Sequence, residues 1–99
     1  MIFRIYRVDG NSMLPVLASG DYVIASRLRK SRIGRLAVVY QPVYLILIKR
    51  IKAINAQGGF LLEGENKESI STEKMGWFSP VQLQGVVFYS VSSPKKGML

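Results

Sequence analysis

The run V-Y-L-I-L-I-K-R-I-K-A-I, from Val43 to Ile54, contains the longest apolar block of the chain and sets the strand character of the fold. It is rich in β-branched residues, which favour extended backbone. Its apolar block is strand-sized, far short of the roughly 18 residues that suggest a membrane span. The first half is continuously apolar and the second alternates, so the reading is one long strand passing from a buried region to an exposed one.

The flanking segments have the same short-strand character. Phe3 to Val8 mixes apolar and basic residues over strand length, as an edge strand does. Asp9-Gly10-Asn11 breaks it, and Asn11 or Ser12 is placed to cap a short helical turn running through Leu17. Tyr22 to Ser26 and Leu36 to Gln41 are further strands, the latter stopped by Pro42 because proline cannot donate to a ladder. A turn at Asn55 to Gly59 leads to F-L-L-E-G as a hairpin partner, and Val86 to Val91 is the last strand. Glu65 to Lys74 is polar and loop-like, and Gly76 to Leu83 suits a short helical turn or an ordered loop. Ser92 to Leu99 reads as a frayed basic tail. The expected fold is therefore all-β and mainly antiparallel: a small barrel-like or sandwich fold with one or two short helical turns, in a single domain over residues 1–99.

The missing residue types narrow the chemistry. The chain has no cysteine, hence no disulfide, thiol nucleophile or thiolate metal site, and no histidine to shuttle protons or bind metal. The six carboxylates form no calcium-loop pattern, so no metal and no cofactor is expected. The N-terminus has no signal-peptide core, and a soluble, cytoplasmic protein is expected. The net charge of +8 includes a basic segment with Arg27, Arg29, Lys30, Arg32 and Arg35. That segment is read first as a solvated loop. If it is functional, the candidates are an anionic membrane surface met peripherally, nucleic acid or an acidic substrate. Nucleic acid ranks last because no aromatics interleave the basic residues, and Trp77 and Phe78 are expected to be core or hinge anchors.

Read alone, Ser12 in the turn after Gly10 is most simply a helix cap; if it is a nucleophile, its base in a chain without histidine would be a neutral lysine. An exposed lysine is neutral in only about one molecule in 2,500 at pH 7, so burial must lower its pKa. Lys49 fits, because it follows the apolar run Y-L-I-L-I where the strand leaves the core. Its neighbour Arg50 points to the opposite face, and Lys52, on the Arg50 side, is a weaker rival.

The stretch V-D-G-N-S-M-L-P-V-L-A-S-G-D-Y-V-I, from Val8 to Ile24, resembles the nucleophile box of type I signal peptidases and their LexA-like, self-cleaving relatives. L-I-K-R-I resembles their lysine box. L-E-G-E-N-K-E-S-I-S-T-E-K-M-G, from Leu62 to Gly76, resembles the Gly-Asp-Asn box of the signal-peptidase branch. The three boxes fall in family order. The resemblance implies Ser12 as nucleophile, Lys49 as general base and Ser69 as the hydroxyl that orients the lysine. It places Gly10, Asn11 and Met13 around the oxyanion hole and substrate cleft, with the backbone amide of Ser12 as one oxyanion donor. Strands near Ile5 to Asp9 and Leu45 to Ile48 would hold an extended peptide. The implied activity is a serine endopeptidase that removes a leader from a precursor protein after a small residue. The alternative is a weak or inactive regulatory β-domain of the same family, with a homodimer compatible with its LexA-like branch.

Three positions depart from the family pattern. Gly10 stands where some members place a serine hydroxyl, Glu65 replaces the aspartate of Gly-Asp-Asn, and the acidic partner of Arg50 is open among Glu65, Glu68 and Glu73. The expected absence of a membrane anchor points to a soluble precursor as substrate.

Overall fold

Six strands carry the fold in the computed structural model, which describes residues 2–10, 12–43, 45–65 and 76–92. They are β1 (Arg4–Arg7), β2 (Tyr22–Ser26), β3 (Leu36–Gln41), β4 (Leu45–Ile54), β5 (Phe60–Glu63) and β6 (Leu83–Val91). All lie in one sheet of order β1-β2-β6-β3-β4-β5, and every neighbouring pair is antiparallel. The mainly antiparallel all-β fold anticipated from the strand pattern is therefore present. A 3-10 turn at Pro80–Gln82 precedes β6, capped by Ser79, whose hydroxyl accepts from Val81 N–H while its own N–H donates to Gln82 Oε1.

Central β3 shows why L-A-V-V-Y-Q is continuously apolar. Successive side chains on a strand point to opposite faces. Val38 joins one buried cluster with Val8, Met13, Leu17, Val23 and Ala25, whereas Ala37 and Val39 join a second with Ile51, Phe60, Leu62 and Phe78. Both faces of β3 are thus covered. In the second cluster Phe60 and Phe78 stack with ring centroids 6.0 Å apart and exchange two backbone hydrogen bonds, which anchors the segment after residue 75 to β5.

Three expectations need correction. The apolar first half of β4 is not its buried end: Leu45 is 60% exposed and Ile46 44%, while burial falls at Lys49 and Ile51. The cause is pairing, since β5 covers β4 only from Arg50 to Ile54 and, among the described residues, β3 is the one strand paired with residues 45–49. Second, β6 begins at Leu83 rather than Val86, its register broken by bulges against both β2 and β3. Third, Trp77 is 52% exposed and only Phe78 enters the core. The polar loop beyond Glu65 and the tail beyond Ser92 lie outside the described residues.

Although β1 and β4 are far apart in the strand order, Arg7, Val8 and Asp9 at the end of β1 line one cleft together with Ile46, Leu47 and Ile48. The sheet therefore curls on itself, in the barrel-like sense.

Candidate active site

The segment carrying Ser12 is held by its two ends. Val8 N–H donates to Asp21 C=O at 2.7 Å and Gly20 N–H donates to Val8 C=O at 2.8 Å, closing residues 8–21 into a loop. The Asp21 carboxylate, nearly buried, accepts from Ala18 N–H at 2.9 Å, which makes it a turn residue. Met13 and Leu17 are buried in the first cluster and pin the loop to the sheet. Between them runs a series of turns in place of a regular helix, closed by Leu17 N–H on Met13 C=O at 2.9 Å, with a cis Leu14–Pro15 bond.

Gly10, just before the serine, sits at φ +83°, a left-handed conformation that residues with a Cβ adopt at a cost. A Cβ there would meet nothing within 4 Å, so the need for glycine is conformational and not steric. Ser12 is half-buried and Met13 is buried beside it. Asn11 and Ser69, the other two residues assigned to the site by resemblance, lie outside the described residues.

Lys49 is only 2% exposed and, among the described residues, is one of the largest fully buried side chains. It pairs across the ladder with Ala37, and desolvation by burial lowers its pKa from the ordinary lysine value. That shift favours the neutral amine, the form able to accept a proton. Leu47, on the same strand face as Lys49, lines a cleft of about 150 Å³ together with Ser12, Met13, Ile46 and Ile48. The structure thus brings the Ser12 loop against the strand that carries Lys49. Lys52, the rival lysine on this strand, is exposed.

Glu65 fastens the two segments together. Its backbone N–H donates to Ser12 C=O at 2.7 Å, and its carboxylate accepts from Arg50 Nε in an ion pair. Arg50 also donates through Nη1 to Gly34 C=O at 2.6 Å. Among the described residues Arg50 pairs with Glu65; Glu68 and Glu73, the other two acids open as its partner, lie outside them. The backbone bond from Glu65 to Ser12 was not anticipated; its only sequence signal is the position of Glu65 in the Gly-Glu-Asn triplet.

These features define a small antiparallel β domain in which a serine-bearing loop closes over a strand with a buried lysine. A protein-family model described as Peptidase S24-like matches residues 3–88, nearly the whole of the described fold. The chain belongs to that family. No curated protein matches the chain. Among the described residues, no helix is long and apolar enough to cross a membrane.

Proposed function

We propose that the protein is a serine endopeptidase working through a Ser12–Lys49 dyad on an extended peptide, and that its task is to remove a leader from a precursor after a small residue. The observation that carries this reading is the burial of Lys49 on the strand whose adjoining residues share a cleft with Ser12. Membership of a peptidase family supports it.

In acylation, neutral Lys49 Nζ takes the Ser12 hydroxyl proton as Oγ attacks the scissile carbonyl carbon. The same proton passes to the leaving amine as the C–N bond breaks, leaving an ester on Ser12. In deacylation, Lys49 takes a proton from water, the hydroxide attacks the ester carbon, and the proton returns to Ser12 Oγ as the acid product leaves. The Ser12 backbone N–H is one donor to the oxyanion, a contribution worth about 2.7 to 4 kcal/mol. No side chain at Gly10 adds to it, so the second donor must be another backbone amide or Asn11.

The substrate backbone fits as an added strand. Residues 45–49 of β4 have β3 as their ladder partner and β1 has β2, while the end of β1 and residues 46–48 of β4 line the cleft. The test is to incubate wild type, Ser12→Ala and Lys49→Ala with leader peptides bearing alanine or glycine before the expected cut. Cleavage by wild type alone supports the dyad, and equal cleavage by either variant rejects it.

A second reading rests on the exposed β4 edge itself, where Leu45 and Ile46 are 60% and 44% exposed. In a silent family member the same edge would bind a partner peptide or a second copy without turnover. Stable complex formation with intact peptide recovered at the end distinguishes it.

A further inference from the structure

The loop from Arg27 to Arg35, between β2 and β3, takes no part in the chemistry above and is built in an unusual way. Its sequence, R-L-R-K-S-R-I-G-R, places two branched aliphatics among five cations. Both aliphatics face outward, Leu28 at 76% exposure and Ile33 at 66%, and Arg27, Lys30 and Arg32 are exposed with them. No acidic residue occurs anywhere from Tyr22 to Leu62, so nothing on the neighbouring strands β2, β3 and β4 offsets this charge. Partial desolvation and then the fields of Arg29 and Arg32 lower the pKa of Arg35, a sign that the cations repel one another.

The loop nevertheless has a fixed form. Arg35 donates through Nη1 to Lys30 C=O at 2.7 Å, and Leu28 N–H donates to Ser26 Oγ at 3.0 Å. Gly34 N–H donates to Ile51 C=O at 2.9 Å, Ile51 N–H donates to Arg35 C=O at 2.8 Å, and Arg50 holds Gly34 C=O. The loop is thus fastened directly to β4, the strand that carries Lys49.

We propose that this loop docks the protein onto an anionic lipid surface, with Arg27, Lys30 and Arg32 meeting headgroup phosphates and Leu28 and Ile33 entering the acyl boundary. Exposed aliphatics interspersed with exposed cations match the two layers of a bilayer interface, phosphate outside and hydrocarbon beneath. Nucleic acid would use the cations and leave both aliphatics in water, and the loop offers no aromatic ring for base stacking. The proposal stands whether or not the Ser12–Lys49 dyad is active.

The test is sedimentation of the full chain with phosphatidylcholine vesicles, with and without phosphatidylglycerol. Wild type is expected to bind only the anionic vesicles. At low salt Arg32→Gln is expected to lose about fivefold in partitioning, the value of one surface cation. Leu28→Ser with Ile33→Ser keeps every charge and is expected to lose about tenfold or more. Since the chain has no cysteine, Leu28→Cys also takes a single environment-sensitive fluorophore, expected to shift to the blue on anionic vesicles. A Val81→Cys control, at the remote 3-10 turn, is expected not to shift. Equal binding to neutral vesicles, unchanged binding of the double serine variant, or a silent probe at position 28 would overturn the proposal. So would tighter binding to duplex oligonucleotide than to anionic vesicles, insensitive to the two serine substitutions.

Discussion

The backbone N–H of Glu65 donates to the carbonyl of Ser12 at 2.7 Å, while the Glu65 side chain pairs with Arg50, the residue after Lys49. One residue therefore fixes the serine loop relative to the lysine strand. The ion pair is partly solvated, with side chains 30% and 22% exposed, so its own contribution to stability is modest. A double-mutant cycle with Arg50→Met and Glu65→Gln is expected to give a coupling of about 1 kcal/mol in urea denaturation. On the proposed activity, Glu65→Gln lowers kcat more than it raises KM, because it disturbs alignment and leaves the peptide-binding edges intact. A coupling near zero with unchanged kcat would remove Glu65 from this role.

The burial of Lys49 sets the sign of two pH dependences. Because its pKa is lowered, the neutral amine gains population as pH rises through that lowered value, so kcat/KM should climb and then level. A profile flat between about pH 6 and 9 would contradict a lysine base. For stability, the unfolded chain binds the Lys49 proton more tightly than the folded one. The cost is therefore largest below the folded pKa and fades as pH rises toward the unfolded value. Lys49→Met is expected to raise Tm at pH 7, and by less near pH 10. Thermal scans at the two pH values check both the sign and the trend.

Gly10 is held at φ +83° with open space around the missing Cβ. Gly10→Ala should therefore cost about 1 to 2 kcal/mol from backbone conformation alone, and Gly10→Asn less, since asparagine tolerates the left-handed region. Equal stability of all three proteins would mean that the loop relaxes freely.

The Phe60–Phe78 stack ties the segment after residue 75 to the second cluster, and both rings are buried. Phe60→Ala is expected to cost about 3 to 5 kcal/mol in chemical denaturation, against less than about 0.5 kcal/mol for Val81→Ala, whose side chain is exposed. A small loss at Phe60 would show that the cluster collapses around the gap.

The strands were legible because their signals are local. β3 is apolar on both faces and is buried on both, and β2 coincides with Tyr22 to Ser26. The serine loop was legible through Gly10, Gly20 and Asp21, whose turn chemistry is also local. The exposure of Leu45 and Ile46 was not, because an apolar run reads as core, and whether β5 is long enough to cover it is a matter of pairing. Trp77 misled for a similar reason: burial in that segment is decided by the Phe60 pairing of its neighbour. The bond from Glu65 to Ser12 joins residues far apart in the chain through a backbone amide, and beyond the place of Glu65 in the Gly-Glu-Asn triplet no side-chain pattern encodes it.

In the proposed mechanism Ser12 becomes acylated with Lys49 as the base. The most direct measurement is intact-mass and peptide-map analysis after acid quench of a reaction with an alanyl peptide ester at pH 8. The expected result is a transient adduct on the peptide containing Ser12 in wild type, absent in Ser12→Ala and in Lys49→Ala. An adduct elsewhere, or one forming at the wild-type rate in Lys49→Ala, would contradict that mechanism.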